Sequence, residues 1–158
     1  MSTKHYHAAF EADAVKGARV LVVEARFYEG YADALQAGAR AVLDAADVAY
    51  EIITVPGALE IPAVIAAATA GREPFDGYVA LGTVIRGATT HYEIVSNESS
   101  HGLMNLATAH GLAIGNGILT VENDEQAWER ADPSQLDKGG GAAAAALAMI
   151  AIRRRFGL

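Results

Sequence analysis

Short apolar runs rich in β-branched residues alternate with longer segments of helical periodicity through almost the whole chain, and this alternation constrains the fold more than any other feature. Residues 19–24 (RVLVVE), 50–55 (YEIITV), 75–81 (FDGYVAL) and a stretch within 112–121 read as four strands. Residues 31–46, 62–70, 90–109, 124–131 and 139–156 carry the helical pattern. Pro56-Gly57 halts the second strand, Pro62 suits a first helical turn, and Asn123 or Asp124 can cap the short fourth helix. Strands alternating with helices predict a parallel sheet covered on both faces and joined by right-handed crossovers. The expected fold class is therefore α/β: a three-layer α/β/α sandwich around a four-stranded parallel sheet. No repeat and no linker divides the chain, so residues 18–158 are expected to form one domain. Residues 1–17 are expected to be an N-terminal tail, mobile or lying on a neighbouring subunit. His5 and His7 within it are read as part of that tail rather than as metal ligands.

Composition removes several classes of function. A net charge of -7 leaves no basic stripe for nucleic acid. The one basic cluster, Arg153-Arg154-Arg155, ends the last helix, where the helix dipole favours cations. Without cysteine the chain makes no disulfide, thiolate nucleophile or cysteine-ligated metal site. Residues 1–17 contain no apolar signal core, and the longest apolar stretch, 142–152, is well short of the ~20 residues a membrane span needs. A soluble cytoplasmic protein with no nucleic-acid and no membrane partner is expected.

In sheets of this kind ligands sit beyond the carboxyl ends of the strands. The loops there span 25–30, 56–61, 82–90 and the turn after the fourth strand. The third is the most informative: YVALGTVIRGATT at 78–90, followed by His91. A glycine-containing loop that feeds a helix N-terminus offers backbone N–H groups and a positive dipole end to an anion. Histidine adds the side chain whose ordinary pKa, about 6.5, lets it move protons at neutral pH. A tight strand–helix turn with a solvated histidine accounts for this segment equally well when it is taken alone. Established phosphate motifs fit poorly. Gly82 and Gly87 have the spacing of a P-loop, but Ala88 stands where its lysine must be, and no G-x-G-x-x-G follows a strand. Gly115-Asn116-Gly117 is too short to count, and neither HExxH nor a serine nucleophile elbow is present. A small phosphorylated substrate, with no nucleotide and no metal, survives this pruning.

Several longer segments carry a resemblance when read in order: Ala25-Arg26-Phe27, VPGALEIP at 55–62, GTVIRGATTHYEIV at 82–95, GILTVENDEQAWERA at 117–131, and Lys138-Gly139. Over nearly the whole chain, residues 16–156, the sequence resembles the 6,7-dimethyl-8-ribityllumazine synthase family. The resemblance implies a flavodoxin-like fold and a transferase of riboflavin biosynthesis. The implied reaction condenses 5-amino-6-(D-ribitylamino)uracil with 3,4-dihydroxy-2-butanone 4-phosphate, without cofactor. It also implies a homopentamer with sites between neighbouring subunits, and a functional link to riboflavin synthase.

Residue by residue, the resemblance makes Phe27 the aromatic that stacks on the uracil ring, and a flat apolar face suits such a heterocycle. Ala58, Leu59 and Glu60 match the segment lining the ribityl chain. Glu60 is suited to accept from sugar hydroxyls, although a first-turn carboxylate favoured by the helix dipole explains it too. Thr83, Val84 and Ile85 match the backbone that faces the pyrimidine, and Asn116 borders the same pocket. Ala88 and Thr89 match the phosphate-binding pair at the helix N-terminus, with Arg130 and Lys138 as cationic partners. His91 matches the group that transfers protons. Two positions depart from the common pattern: Leu59 stands where many members have an aromatic, and Asn116 where many have phenylalanine. The loop ADPSQLDKG at 131–139 lacks the pattern of shell-forming members, so a free pentamer is expected. Rival readings are a shell protein with a decayed site and a flavin-binding module. An imine-forming enzyme of another kind is disfavoured, because no lysine stands at a strand end to form a Schiff base.

Overall fold

A computed structural model describes residues 6–158, so His5 lies outside the described residues. The chain runs β1 (Arg19–Ala25), α1 (Glu29–Ala45), β2 (Ala49–Val55), α2 (Ile61–Thr69), β3 (Gly77–Ile85), α3 (His91–His110), β4 (Ile114–Val121), α4 (Asp124–Ala131) and α5 (Lys138–Arg155). All pairings are parallel, in the order β2-β1-β3-β4. This is the doubly wound order of flavodoxin-like folds. Successive side chains of a strand point to opposite faces, so each strand feeds two cores. Val20, Val22, Val79, Leu81, Leu119 and Val121 pack under α1, α4 and α5. Leu21, Val23, Tyr78, Ala80 and Val84 pack under Ile61 and Ile65 of α2 and Leu103 of α3. Central β1 is buried on both faces from Val20 onward, which is why it reads as an apolar run interrupted only by Glu24.

One boundary differs from expectation in a way that shapes the site. The third strand does not end at Leu81; it continues through Gly82 to Ile85. Gly82 simply continues the strand: a Cβ there would make only ordinary contact, 3.4 Å from the Ala25 Cβ. Pairing of β3 with β1 stops at Leu81, whereas β3 stays paired with β4 out to Ile85. Residues 82–85 therefore form a lip with one open edge beside the ends of β1 and β2. The loop behind this lip is correspondingly short, residues 86–90.

Glycines also set the depth of α5. A Cβ on Gly115 of β4 would fall 1.8 Å from the Ala142 carbonyl oxygen, and one on Gly139 would fall 2.1 Å from that of Leu35. The glycines flanking Asn116 thus let α5 approach the sheet. Asp137 caps α5 by accepting from the Gly140 amide at 3.1 Å. Within the segment expected as a tail, Ala12–Val15 forms a 3-10 turn and Val15 is fully buried in the core. Arg154 fixes this turn by donating to the carbonyls of Ala14 and Lys16 at 3.1 and 2.9 Å. His7 Nε2 lies 3.0 Å from an Asp137 carboxylate oxygen. Among the described residues no helix is long and apolar enough to cross a membrane.

Candidate active site

The carboxyl ends of β1, β2 and β3 open into a cavity of about 420 Å³. Phe27 stands two residues beyond β1 and is 74% exposed, a large cost for an aromatic side chain. After β2, Pro56 and Gly57 turn the chain into a single 3-10 turn, Ala58–Glu60, which runs straight into α2. Ala58 is buried there, Leu59 is half-exposed on the rim, and Glu60 is exposed. The β3 lip contributes Val84 and Ile85. Thr89 and His91 close the wall at the start of α3, where Thr90 provides no side-chain cap. The His91 amide donates to the Thr89 hydroxyl at 3.4 Å. A largely apolar cavity with a carboxylate, an imidazole and a helix N-terminus that lacks an N-cap side chain converging on it is suited to a flat heterocycle beside an anion.

Arg86 braces the loop behind this wall. Its Nε donates to Glu122 at 2.7 Å, and its guanidinium lies 4.4 Å above the Tyr92 ring. The hydrogen bond to Glu122 is the main cause holding the Arg86 pKa above its ordinary value, so this brace stays charged. Sequence reasoning passed over Arg86, and also Tyr28, Tyr92 and Val95, which line the cavity. Tyr92 and Val95 stand three apart on α3, a helical spacing that signals a shared face.

Phe27, Ala58, Leu59, Glu60, Val84, Ile85, Thr89 and His91 thus meet at one cavity. Asn116, Arg130 and Lys138 do not join them. They border a second recess of about 350 Å³ along the outer edge of β4 and the start of α5, together with Tyr6, Ala8 and Gly141. The two recesses share no lining residue. In the second, Arg130 is turned onto its own helix, donating to the Gln126 carbonyl at 3.1 Å and to Glu129 at 2.9 Å. Asn116 accepts from the Ile118 amide at 3.0 Å, occupying part of the open β4 edge. Thr83 and Ala88 border neither recess. Strand alternation turns the Thr83 side chain to the face of α1, α4 and α5, where its hydroxyl is buried without a partner.

The profile of the 6,7-dimethyl-8-ribityllumazine synthase family matches residues 17–154. The chain is 58% identical over 147 residues to 6,7-dimethyl-8-ribityllumazine synthase 1 of Rhizobium meliloti (strain 1021), covering 90% of this chain and 96% of that one. It is 62% identical over 142 residues to the 6,7-dimethyl-8-ribityllumazine synthase of Sphingopyxis alaskensis, covering 89% and 99% of the two chains. With the synthase of Azorhizobium caulinodans the identity is 55% over 159 residues, covering 98% of each. Family profile and relatives agree, and the chain belongs to the 6,7-dimethyl-8-ribityllumazine synthase family, enzymes of riboflavin biosynthesis.

Proposed function

We propose that this protein is a transferase that condenses 5-amino-6-(D-ribitylamino)uracil with 3,4-dihydroxy-2-butanone 4-phosphate. The products are 6,7-dimethyl-8-ribityllumazine, phosphate and water, in the penultimate step of riboflavin biosynthesis. The observation that carries this reading is the convergence of Phe27, Glu60, His91 and the N-terminus of α3 on one cavity. Phe27 stacks on the pyrimidine, the β3 lip pairs with its polar edge through the main chain, and Ala58, Leu59 and Glu60 line the ribityl chain. The amides of the Ala88–Thr89 segment and the Thr89 hydroxyl receive the phosphate at the positive end of α3.

The primary amine attacks the ketone, and the carbinolamine loses water to give an imine. The adjacent carbon gives up a proton, phosphate leaves with its bonding electrons, and the resulting enol becomes a second carbonyl. The ribityl-bearing nitrogen attacks that carbonyl and a second water departs. His91 gives and takes the protons, a contribution of roughly 10²–10⁴-fold. Holding two small substrates together supplies as much again or more.

The overall charge of -7 repels a phosphate dianion, so local cations matter. Arg130 and Lys138 are suited to stabilise the departing phosphate, yet they border the second recess. A cytoplasmic homopentamer, in which the second recess of one subunit completes the cavity of its neighbour, reconciles the two. The test follows the lumazine chromophore with both substrates present. Wild type is expected to exceed the spontaneous condensation, and His91→Ala to be slower by roughly 10²-fold while keeping measurable turnover. A folded wild-type protein that gives no acceleration would sink the proposal.

A further inference from the structure

Glu24, at 3% exposed, is the most deeply buried carboxylate among the described residues, and the reaction proposed above does not use it. A carboxylate in the interior is costly unless donors surround it. Here the donors come from α1, β2 and the loop after β1. Arg26 Nη1 lies 3.3 Å from each carboxylate oxygen, Gln36 Nε2 of α1 donates at 2.9 Å, and the Thr54 hydroxyl of β2 donates at 3.0 Å. Arg26 donates with its other terminal nitrogen to Asp33 of α1, and its backbone amide donates to the Val55 carbonyl at 3.3 Å. One carboxylate therefore ties down both chain segments that enter the cavity wall, Phe27 after β1 and Pro56 to Glu60 after β2.

Phe27 has little else to hold it. Its ring is 74% exposed and meets Tyr28 edge-on with centroids 5.0 Å apart. A ring packed this thinly takes its place from its backbone, and Arg26, the residue before it, is clamped on both sides. We propose that Glu24 is a positioning residue for the flat heterocyclic substrate: through Arg26 and Thr54 it sets the spacing between the Phe27 face and the Pro56 to Glu60 wall. It acts on recognition of the ring, and leaves proton transfer and phosphate binding alone. This inference rests on reading the cavity as the lumazine-forming site.

Glu24→Gln keeps the size of the side chain and its acceptor oxygen but removes the charge that clamps Arg26. We expect the KM for the ribitylaminouracil to rise about tenfold, with kcat and the KM for the butanone phosphate within about twofold of wild type. Glu24→Asp, which restores the charge, recovers part of the loss. A second readout needs no turnover. In protein labelled with 4-fluorophenylalanine, the Phe27 resonance, assigned among the four phenylalanines by its absence in Phe27→Leu, shifts or broadens in Glu24→Gln while the others stay. Wild-type KM with an unmoved Phe27 resonance would overturn the proposal, as would a parallel loss of kcat and both KM values. If wild type forms no lumazine, the functional reading falls and the resonance alone decides the positioning role. If Glu24→Gln does not fold, Arg26→Lys takes its place under the same criteria, since it keeps a charge but loses the fork that spans Glu24 and Asp33.

Discussion

Tyr31 carries the connection between the cavity wall and α4 in a single side chain. It is 7% exposed near the start of α1, and its hydroxyl donates to the Asp124 carboxylate, the first residue of α4, at 2.5 Å. Its ring stands edge-on to Tyr28, which in turn meets Phe27, and edge-on to Trp128 on the far side, with centroids 5.9 and 4.8 Å away. Burial, and then the hydrogen bond to Asp124, push its pKa up to about 12. A raised tyrosine pKa means that the folded state keeps the proton where the unfolded chain has begun to lose it. The stability this contributes is whole below about pH 10 and disappears as pH climbs through the folded value. Tyr31→Phe should therefore cost about 1 kcal/mol at neutral pH, and that deficit should shrink as pH approaches 12. Burial also raises Tyr50 and Tyr78, so both proteins weaken in alkali, and the difference between their urea midpoints from pH 7 to 11 is the quantity to follow. A deficit that stays constant over that range would show that the Tyr31 proton is not linked to folding.

At the scale of elements, periodicity made most of the architecture legible, and glycine accounts for the main misreading. Strands such as β1 and helices such as α1 announce themselves because burial on two faces or on one stripe leaves a period in the sequence. Gly82 looks like the start of a turn, yet it lies within β3 against Ala25. A glycine that turns the chain and one that continues a strand are the same letter, and only pairing with a distant segment, here Gly82 with Ile118 of β4, tells them apart. The misread boundary mattered for the site, because a continuing strand turns Thr83 away from the cavity and presents Val84 to it. Gly115 offers the sharpest test of the packing role. Its Cβ would meet the Ala142 carbonyl, part of a buried helix backbone that cannot step aside. Gly115→Ala should cost on the order of 3 kcal/mol, a fall in Tm of roughly 6–12 °C. A variant that melts with wild type would mean that α5 moves off β4 without penalty.

Over the whole molecule, all the site residues implied by the resemblance except Thr83 and Ala88 fall into two groups that one protomer keeps apart. Phe27, Glu60 and His91 border the cavity, while Asn116, Arg130 and Lys138 border the recess along β4. A single sequence carries no trace of this division, because linear order does not say whether two functional residues meet within a chain or across a subunit boundary. A heterologous ring interface brings different patches of the same surface together, as the proposed pentamer requires. In a ring, His91→Ala damages the cavity half of each site and Arg130→Ala the recess half, each slowing turnover by roughly 10²-fold. When the two variants are dissociated, mixed in equal amounts and reassembled, about one quarter of the interfaces join two intact halves. The mixture should then recover about one quarter of the wild-type rate, far above either parent. If the mixture runs no faster than the mean of its parents although subunits exchange, cavity and recess do not act across an interface, and the phosphate must find its cations within the chain that carries His91.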